Sequence, residues 1–77
     1  MIAVVILNWN GVDMLRRYLP GVVSDCADEG EVIVADNGST DDSLHYLRTE
    51  HPDVRLVCFD QNLGFAGGYN AAFRRIE

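Results

Sequence analysis

Three short segments of the sequence combine asparagine, glycine, aspartate and one aromatic residue in a pattern that could bind a nucleotide. They read NWNG at residues 8–11, DNGS at residues 36–39 and DQNLG at residues 60–64. Each follows an apolar run of strand type, and ligands of open α/β sheets bind beyond the carboxyl ends of the strands. We therefore expect the three segments on one rim of a sheet, where they would form a nucleotide pocket.

Two residues in these segments have specific predicted roles. Trp9, the sole tryptophan, offers a flat face on which a base could stack, a contact worth about 1–3 kcal/mol in nucleic-acid systems. Alternatively, it covers the end of the sheet without further function. Asp36 could accept the imide N–H of uracil or thymine in a charge-assisted hydrogen bond, or it could close an Asx turn. The residue types leave these alternatives open.

A glycine-rich stretch, NLGFAGGYN at residues 62–70, precedes the last predicted helix. Glycine is costly inside regular structure, so this density indicates a flexible connector or a backbone that a ligand approaches closely. The context favours the second, because Gly64, Gly67 and Gly68 beside a helix start would let a diphosphate reach backbone N–H groups. The spacing differs from GxGxxG and the stretch follows the third strand, so the dinucleotide-binding signature is not met.

The sequence predicts no catalytic or metal centre of its own. Asp41 and Asp42 are explained by the first turn of a helix, where the helix dipole favours acids. Neither of the two histidines has a nucleophile near it in sequence. The chain has no lysine, which excludes a Walker A loop and Schiff-base chemistry. Cys26 and Cys58 stand far apart without a CxxC motif, which predicts reduced thiols.

Composition limits the class of protein and its partners. The 77 residues are 48% hydrophobic with a net charge of −6, as expected for one small globular domain. The longest apolar run, residues 2–7, is too short to span a bilayer or to serve as a signal peptide, which makes a cytoplasmic setting the default. No basic cluster exceeds an arginine pair, so no nucleic-acid partner is predicted.

Hydrophobic patterning predicts the element order βαβαβα and therefore an open, parallel, Rossmann-like α/β sheet. The run Ile2–Leu7 predicts a first strand buried on both faces, and the following helix should kink or restart at Pro20. Ser39 or Thr40 would cap the second helix. The remaining predicted elements are a polar break over residues 25–30, strands at residues 31–36 and 54–59, a second helix ended by residues 51–52, and a last helix after the glycines.

Three ordered motifs, VVILNWNG, VIVADNGSTDDS and NLGFAGGYNAAF, resemble the start of inverting family 2 glycosyltransferases. The likeness is strongest to the branch of rhamnosyltransferase-like and galactofuranosyltransferase-like enzymes, and it covers nearly the whole chain. It implies a GT-A fold, of which residues 1–77 would form the N-terminal part of the nucleotide-binding half. An acceptor-binding half would follow.

The resemblance also implies a donor site for a UDP- or dTDP-linked sugar. Trp9 takes the place of the aromatic residue that stacks on the base, and Asp36 takes that of the carboxylate that reads the imide edge. The residues implied to line the base and ribose are Asn8, Asn10, Asn37 and Gly38, and those implied to approach the ribose and diphosphate are Asn62, Gly64, Gly67, Gly68 and Asn70.

Other parts implied by the resemblance lie beyond this chain. They are the Asp-x-Asp motif that holds Mg2+ or Mn2+ on the sugar diphosphate, and the carboxylate that deprotonates the acceptor. The implied partners are a nucleotide-diphosphate sugar and a glycan or lipid-linked acceptor in polysaccharide or cell-envelope synthesis. The implied location is the cytoplasm or the inner face of the membrane, and the chain alone is expected to transfer no sugar.

The sheet of the family continues from its first strand, so residues 2–7 would here form an open apolar edge. Such an edge without a charged residue predicts self-association. Two further hypotheses are a non-catalytic nucleotide-binding or oligomerising α/β module, and a small signalling or flavodoxin-like domain whose rim residues only close turns.

Overall fold

The computed structural model describes residues 2–26 and 30–76, and the predicted α/β class and element order are confirmed. Residues 27–29 of the predicted polar break lie outside the described residues. The strands are β1 (Ile2–Asn8), β2 (Gly30–Asn37) and β3 (Arg55–Phe59), and the helices are α1 (Val12–Cys26), α2 (Ser43–Glu50) and α3 (Phe65–Ile76).

The three strands form one parallel sheet in the order β1-β2-β3. Its register places Asn8 opposite Asp36 across β1 and β2, and Asn37 opposite Phe59 across β2 and β3. The carboxyl ends of all three strands therefore lie at the same edge of the sheet.

The core lies on both faces of the central strand β2, because successive side chains of a strand point to opposite faces. Val32 and Val34 pack on one face with residues of α1 and α2. Ile33 and Ala35 pack on the other face with residues of β3 and with Ala72 of α3. The sheet is thus covered by helices on both faces.

One sequence expectation about the first half of the chain is wrong. β1 is not buried on both faces: Ala3 is exposed and Val4–Leu7 are only partly buried, because β1 is an edge strand with β2 as its sole neighbour in the described sheet. α1 runs unbroken from Val12 to Cys26 with Pro20 inside it, so of the two predicted effects of Pro20, a kink or a restart, the restart does not occur.

The start of α2 also differs from the prediction. The helix begins at Ser43, and Asp42 holds the N-cap position without a side-chain capping bond. Instead, the backbone N–H of Ser43 donates to Oδ1 of Asp41 at 2.9 Å. Neither Ser39 nor Thr40 caps the helix, because both are used in contacts with other loop residues.

Among the residues that the structure describes, no helix has the length and hydrophobicity that a membrane crossing requires.

Candidate functional site

The strand ends carry three loops that meet at one edge of the sheet. We call residues 9–11 the first rim loop, residues 38–42 the second and residues 60–64 the third, and the three together the rim. The structure brings most of the predicted site residues together there: Asn8, Trp9, Asn10, Asp36, Asn37, Gly38, Asn62 and Gly64.

Asp36 is buried at the end of β2, with 1% of its surface exposed. Its Oδ1 accepts hydrogen bonds from Nδ2 of Asn8 at 3.0 Å and from Oγ of Ser39 at 2.7 Å. Its Oδ2 accepts from the backbone N–H of Ser39 at 2.9 Å. Both carboxylate oxygens thus accept hydrogen bonds within the chain. The bonds to Ser39 close the second rim loop, as expected if Asp36 forms an Asx turn.

Asn10 ties the first rim loop to the second. Its Oδ1 accepts from the backbone N–H groups of Thr40 at 2.6 Å and Asp41 at 3.2 Å, and its own N–H donates to Oγ of Ser39 at 2.9 Å. Asn10 has a φ of 48°, a left-handed conformation that asparagine tolerates better than most residues. Its amide therefore serves loop geometry in this structure.

Asn37 ties the end of β2 to the third rim loop. Its Nδ2 donates to Oδ1 of Asn62 at 3.1 Å and to the carbonyl oxygen of Gly64 at 3.0 Å. Its Oδ1 accepts from the backbone N–H of Leu63 at 2.8 Å. Because the Asn37 side chain makes all these bonds while it is almost fully buried, it holds the third loop in place.

The second and third rim loops come close enough that only glycine fits at one position. Gly38 has a φ of 77°, and a Cβ there would lie 2.7 Å from the carbonyl carbon of Gln61. A side chain would therefore force the loops apart. At Gly38 the backbone of the second rim loop thus lies directly against that of the third.

The remaining predicted site residues lie on α3 rather than in a loop. α3 begins at Phe65, which places Gly67 and Gly68 in its first turn and the exposed Asn70 beyond them. The N–H of Gly68 donates to the carbonyl oxygen of Gly64 at 2.9 Å. A Cβ on Gly68 would lie 2.8 Å from Cδ1 of Leu7, so this glycine lets α3 pack closely on the sheet.

Two aromatic side chains remain open to solvent at the rim. Trp9 is 56% exposed and Phe65 is 77% exposed, and both line a cleft of about 270 Å3 beside the third rim loop. The other residues that line this cleft are Leu7, Asn37, Asn62 and Gly64. Phe65 was not among the residues predicted from the sequence; its position directly after a turn glycine at a helix start was the available signal.

A second depression runs along the free edge of β1 and the adjoining face of α1. This β1–α1 groove has a volume of about 350 Å3 and is largely apolar, and Trp9 stands at its end. Met14 and Tyr18, which line it, are 60% and 54% exposed.

Hydrogen bonding also favours the ionised form of Asp41 in the second rim loop. Slight burial raises the pKa of Asp41, but hydrogen bonds from Ser43 and from the backbone N–H of Val12 outweigh this effect and leave the pKa below its ordinary value. Elsewhere, burial raises the pKa of the Cys58 thiol. Cys26 and Cys58 are both free, as predicted.

The described residues do not fit the divalent cation that the resemblance implies. Residues 2–26 and 30–76 contain no group of three or more His, Cys, Asp or Glu side chains that could hold a metal ion. The two rim acids of the DNGSTD segment, Asp36 and Asp41, use their oxygens to order loops. We therefore assign no metal-dependent step to this part of the chain.

A parallel α/β sheet with its polar loops gathered at the strand ends is the arrangement of the N-terminal part of a GT-A domain. The chain belongs to glycosyl transferase family 2, whose model matches residues 3–77. It is 33% identical over 75 residues to the uncharacterized glycosyltransferase alr2836 of Nostoc sp., covering 94% of this chain and 23% of the relative. It is 37% identical over 75 residues to the uncharacterized glycosyltransferase YfnE of Bacillus subtilis, covering 94% and 19%.

The chain thus spans about a fifth of the length of these curated relatives, 23% and 19%. Neither name specifies a donor, a sugar or an acceptor. No solved structure matches the chain.

Proposed function

We propose that this chain is the donor-binding segment of a glycosyltransferase, and that it binds a UDP- or dTDP-linked sugar. The observation that carries the proposal is the exposed ring of Trp9 at a cleft beyond the strand ends that Asn37 and Asn62 also line, in a chain of this family. Ligands of open α/β sheets bind at this position, and an exposed aromatic ring there is suited to stacking on a base.

In this proposal some rim residues contact the nucleotide, and others hold the rim loops in position. Trp9 would stack on the base, and Asn62 and Gly64 would approach the ribose and diphosphate beside the start of α3, whose first N–H groups favour an anion. Asp36 would act on the base only after the rim rearranged, because the residue is 1% exposed and its oxygens already accept from Asn8 and Ser39. We therefore assign Asp36 chiefly to positioning the rim.

The remaining parts of the proposal concern a longer protein. It would transfer a sugar with inversion to an acceptor hydroxyl on a glycan or lipid-linked acceptor in polysaccharide or cell-envelope synthesis, as in the rhamnosyltransferase-like and galactofuranosyltransferase-like branch. Its divalent cation, its catalytic carboxylate and its acceptor site would lie outside this chain. The protein would act in the cytoplasm or at the inner face of the membrane, and the 77 residues alone would bind the donor without transferring sugar.

The experiment is a fluorescence titration of Trp9 with UDP, dTDP and GDP, each with and without Mn2+. Trp9 is the sole tryptophan, so tryptophan emission reports on this one residue, which lines the cleft and also stands at the end of the β1–α1 groove. Saturable quenching by UDP or dTDP that is indifferent to Mn2+ is expected, because Trp9 belongs to the proposed base site and residues 2–26 and 30–76 hold no group of acids, histidines or cysteines that could bind a metal ion. Absence of saturable quenching with all three nucleotides would contradict donor binding by this chain.

A second candidate function, self-association through β1, is supported by the contrast between the two edges of the sheet. At β3, Arg75 donates to the carbonyl oxygen of Cys58 at 2.8 Å, and charged groups on an edge discourage strand addition. Within the described sheet, β1 has an unpaired edge beside the apolar β1–α1 groove. We propose that a second copy of the chain pairs there when the edge is free.

Sedimentation velocity over a range of concentrations tests this second candidate. The wild type is expected to form a dimer or larger species, and Met14→Glu, which puts a charge in the groove, should return it to a monomer. Phe73→Glu is the matched control, because Phe73 is 48% exposed on α3 and outside the groove. A wild type that stays monomeric at high concentration contradicts the candidate.

A further inference from the structure

Phe65 is the most exposed large hydrophobic residue among those that the structure describes, at 77%. It is the first residue of α3 and lies in the wall of the cleft that also contains Trp9. Its ring meets that of Tyr69 at a centroid distance of 5.2 Å and an interplanar angle of 70°. One neighbour thus restrains the ring, while most of its surface stays open.

The backbone that carries Phe65 is fixed by hydrogen bonds immediately before it. The carbonyl oxygen of Gly64 accepts from Nδ2 of Asn37 at 3.0 Å and from the N–H of Gly68 at 2.9 Å. The N–H of Gly64 donates to Oδ1 of Asn62 at 2.7 Å. Because both polar groups of the preceding residue are held, Phe65 projects from an anchored position despite its exposure.

The loop that carries Trp9, the other aromatic residue lining the cleft, is also anchored. Trp9 is followed by Asn10, whose side chain and backbone bond to Ser39 and Thr40 in the second rim loop. The backbone next to each exposed aromatic residue is therefore held by hydrogen bonds, beside Trp9 to the second rim loop and beside Phe65 to Asn37 at the end of β2.

Polar side chains line the same cleft as the two aromatic residues. Asn62 lines the cleft and its Oδ1 is used by Asn37 and Gly64. Its Nδ2 donates no hydrogen bond to residues 2–26 or 30–76, so it is available to a ligand carbonyl oxygen. A planar ring with apolar faces and carbonyl oxygens at its edge fits such a cleft, and a pyrimidine base has this chemistry.

We propose that Phe65 is a second stacking residue of the donor site, and that the base of the nucleotide lies between Trp9 and Phe65 with a carbonyl oxygen near Nδ2 of Asn62. This inference rests on the proposed donor-binding function and adds a residue to it. Stacking tolerates any base, so Phe65 sets affinity, whereas Asn62 favours a base with an accessible carbonyl oxygen.

Isothermal titration calorimetry with UDP tests the role of Phe65 on the wild type, Phe65→Ala, Phe65→Tyr and Phe73→Ala. Phe65→Ala should weaken UDP binding by about 10- to 100-fold, from the usual value of a base–aromatic stack. Phe65→Tyr retains a ring and should bind within about threefold of the wild type. Phe73→Ala is the control, since it removes an exposed phenylalanine of the same helix that does not line the cleft.

The outcomes separate this inference from the function on which it rests. UDP binding that is unchanged in Phe65→Ala overturns the stacking role and leaves donor binding intact. Equal weakening in Phe65→Ala and Phe73→Ala also overturns it, because the loss would then follow from α3 as a whole. Absence of UDP binding to the wild type overturns donor binding itself, and the role of Phe65 with it.

Discussion

The side-chain nitrogen of Asn8 lies 3.0 Å from a carboxylate oxygen of Asp36, and the two residues face each other in the register of β1 and β2. Both are buried, at 5% and 1% exposure. The bond joins the carboxyl ends of the first two strands directly beneath the loop that presents Trp9. The position of this exposed ring therefore depends on a buried carboxylate and amide.

Asp36→Ala should lower the free energy of unfolding by about 2 kcal/mol or more, because it leaves buried donors of Asn8 and Ser39 without an acceptor. Urea denaturation followed by far-UV circular dichroism measures the change. Asp60→Ala is the matched control, since Asp60 is exposed in the third rim loop and its removal should have little effect. Equal stability of the two variants would show that the Asp36 contacts contribute nothing net.

Gly68→Ala and Gly21→Ala should change stability in opposite directions, although both place alanine inside a helix. A Cβ at position 68 would lie 2.8 Å from Leu7 and 2.9 Å from Asn37, and such overpacking costs about 1–3 kcal/mol. A Cβ at position 21 meets nothing within 4 Å, so the gain in helix propensity, about 0.5–1 kcal/mol, should stabilise the chain. Thermal or urea unfolding of both variants gives the signs, and stabilisation by Gly68→Ala would contradict the close packing of α3.

Asn37→Ala should loosen the third rim loop specifically. The N–H of Leu63 loses its acceptor, and the carbonyl oxygen of Gly64 loses a donor. Hydrogen exchange of the Leu63 amide should therefore accelerate by about fivefold, as loss of one hydrogen bond of about 1 kcal/mol permits. Asn70→Ala, at an exposed position of α3, should leave this rate unchanged. Faster exchange in both variants would mean that loosening of α3, and not loss of the Asn37 hydrogen bonds, exposes the Leu63 amide.

Asp41→Asn should reduce stability at neutral pH and have a smaller effect in acid. The pKa of Asp41 in the folded chain lies below its ordinary value of 3.8. Its carboxylate therefore contributes stability above the unfolded pKa, and this contribution is lost as the pH falls through the folded pKa. Urea midpoints of the wild type and the variant should converge well below pH 3.8.

The control for this pH dependence is Asp53→Asn, which removes the same charge at an exposed position away from the rim. Its effect should be small at both ends of the pH range. A stability difference for Asp41→Asn that is constant from neutral to acid pH would contradict a role for the ionised carboxylate in ordering the start of α2.

Hydrophobic patterns sufficed to predict the element order and the gathering of polar segments at one edge of the sheet. They could not predict which polar side chains are buried and hydrogen-bonded to one another, because this depends on the register of the strands. Asn8 bonds to Asp36 only because the two stand opposite each other, and no local signal encodes this pairing. The partial burial of β1 was likewise invisible in its own residues, since burial depends on the neighbouring strand.

The glycines show the same division between local and tertiary information. Their density predicted a backbone that a diphosphate approaches closely, and this stays a prediction. At Gly68 the groups that a Cβ would meet are Leu7 and Asn37 of the chain itself. Phe65 escaped prediction for the opposite reason. An aromatic residue at a helix start is ordinarily assigned to the core, and only the structure shows it to be exposed.

The hydrogen bonds that connect the three rim loops have a thermodynamic consequence for any ligand that binds on them. Asn10 and Asn37 already hold the loops in one arrangement through their side chains. A ligand entering the cleft would therefore lose little affinity to the conformational entropy of ordering loops, the cost that flexible sites incur on association. Binding to such a preorganised surface should proceed without a separate closing step, and its rate should follow ligand concentration linearly.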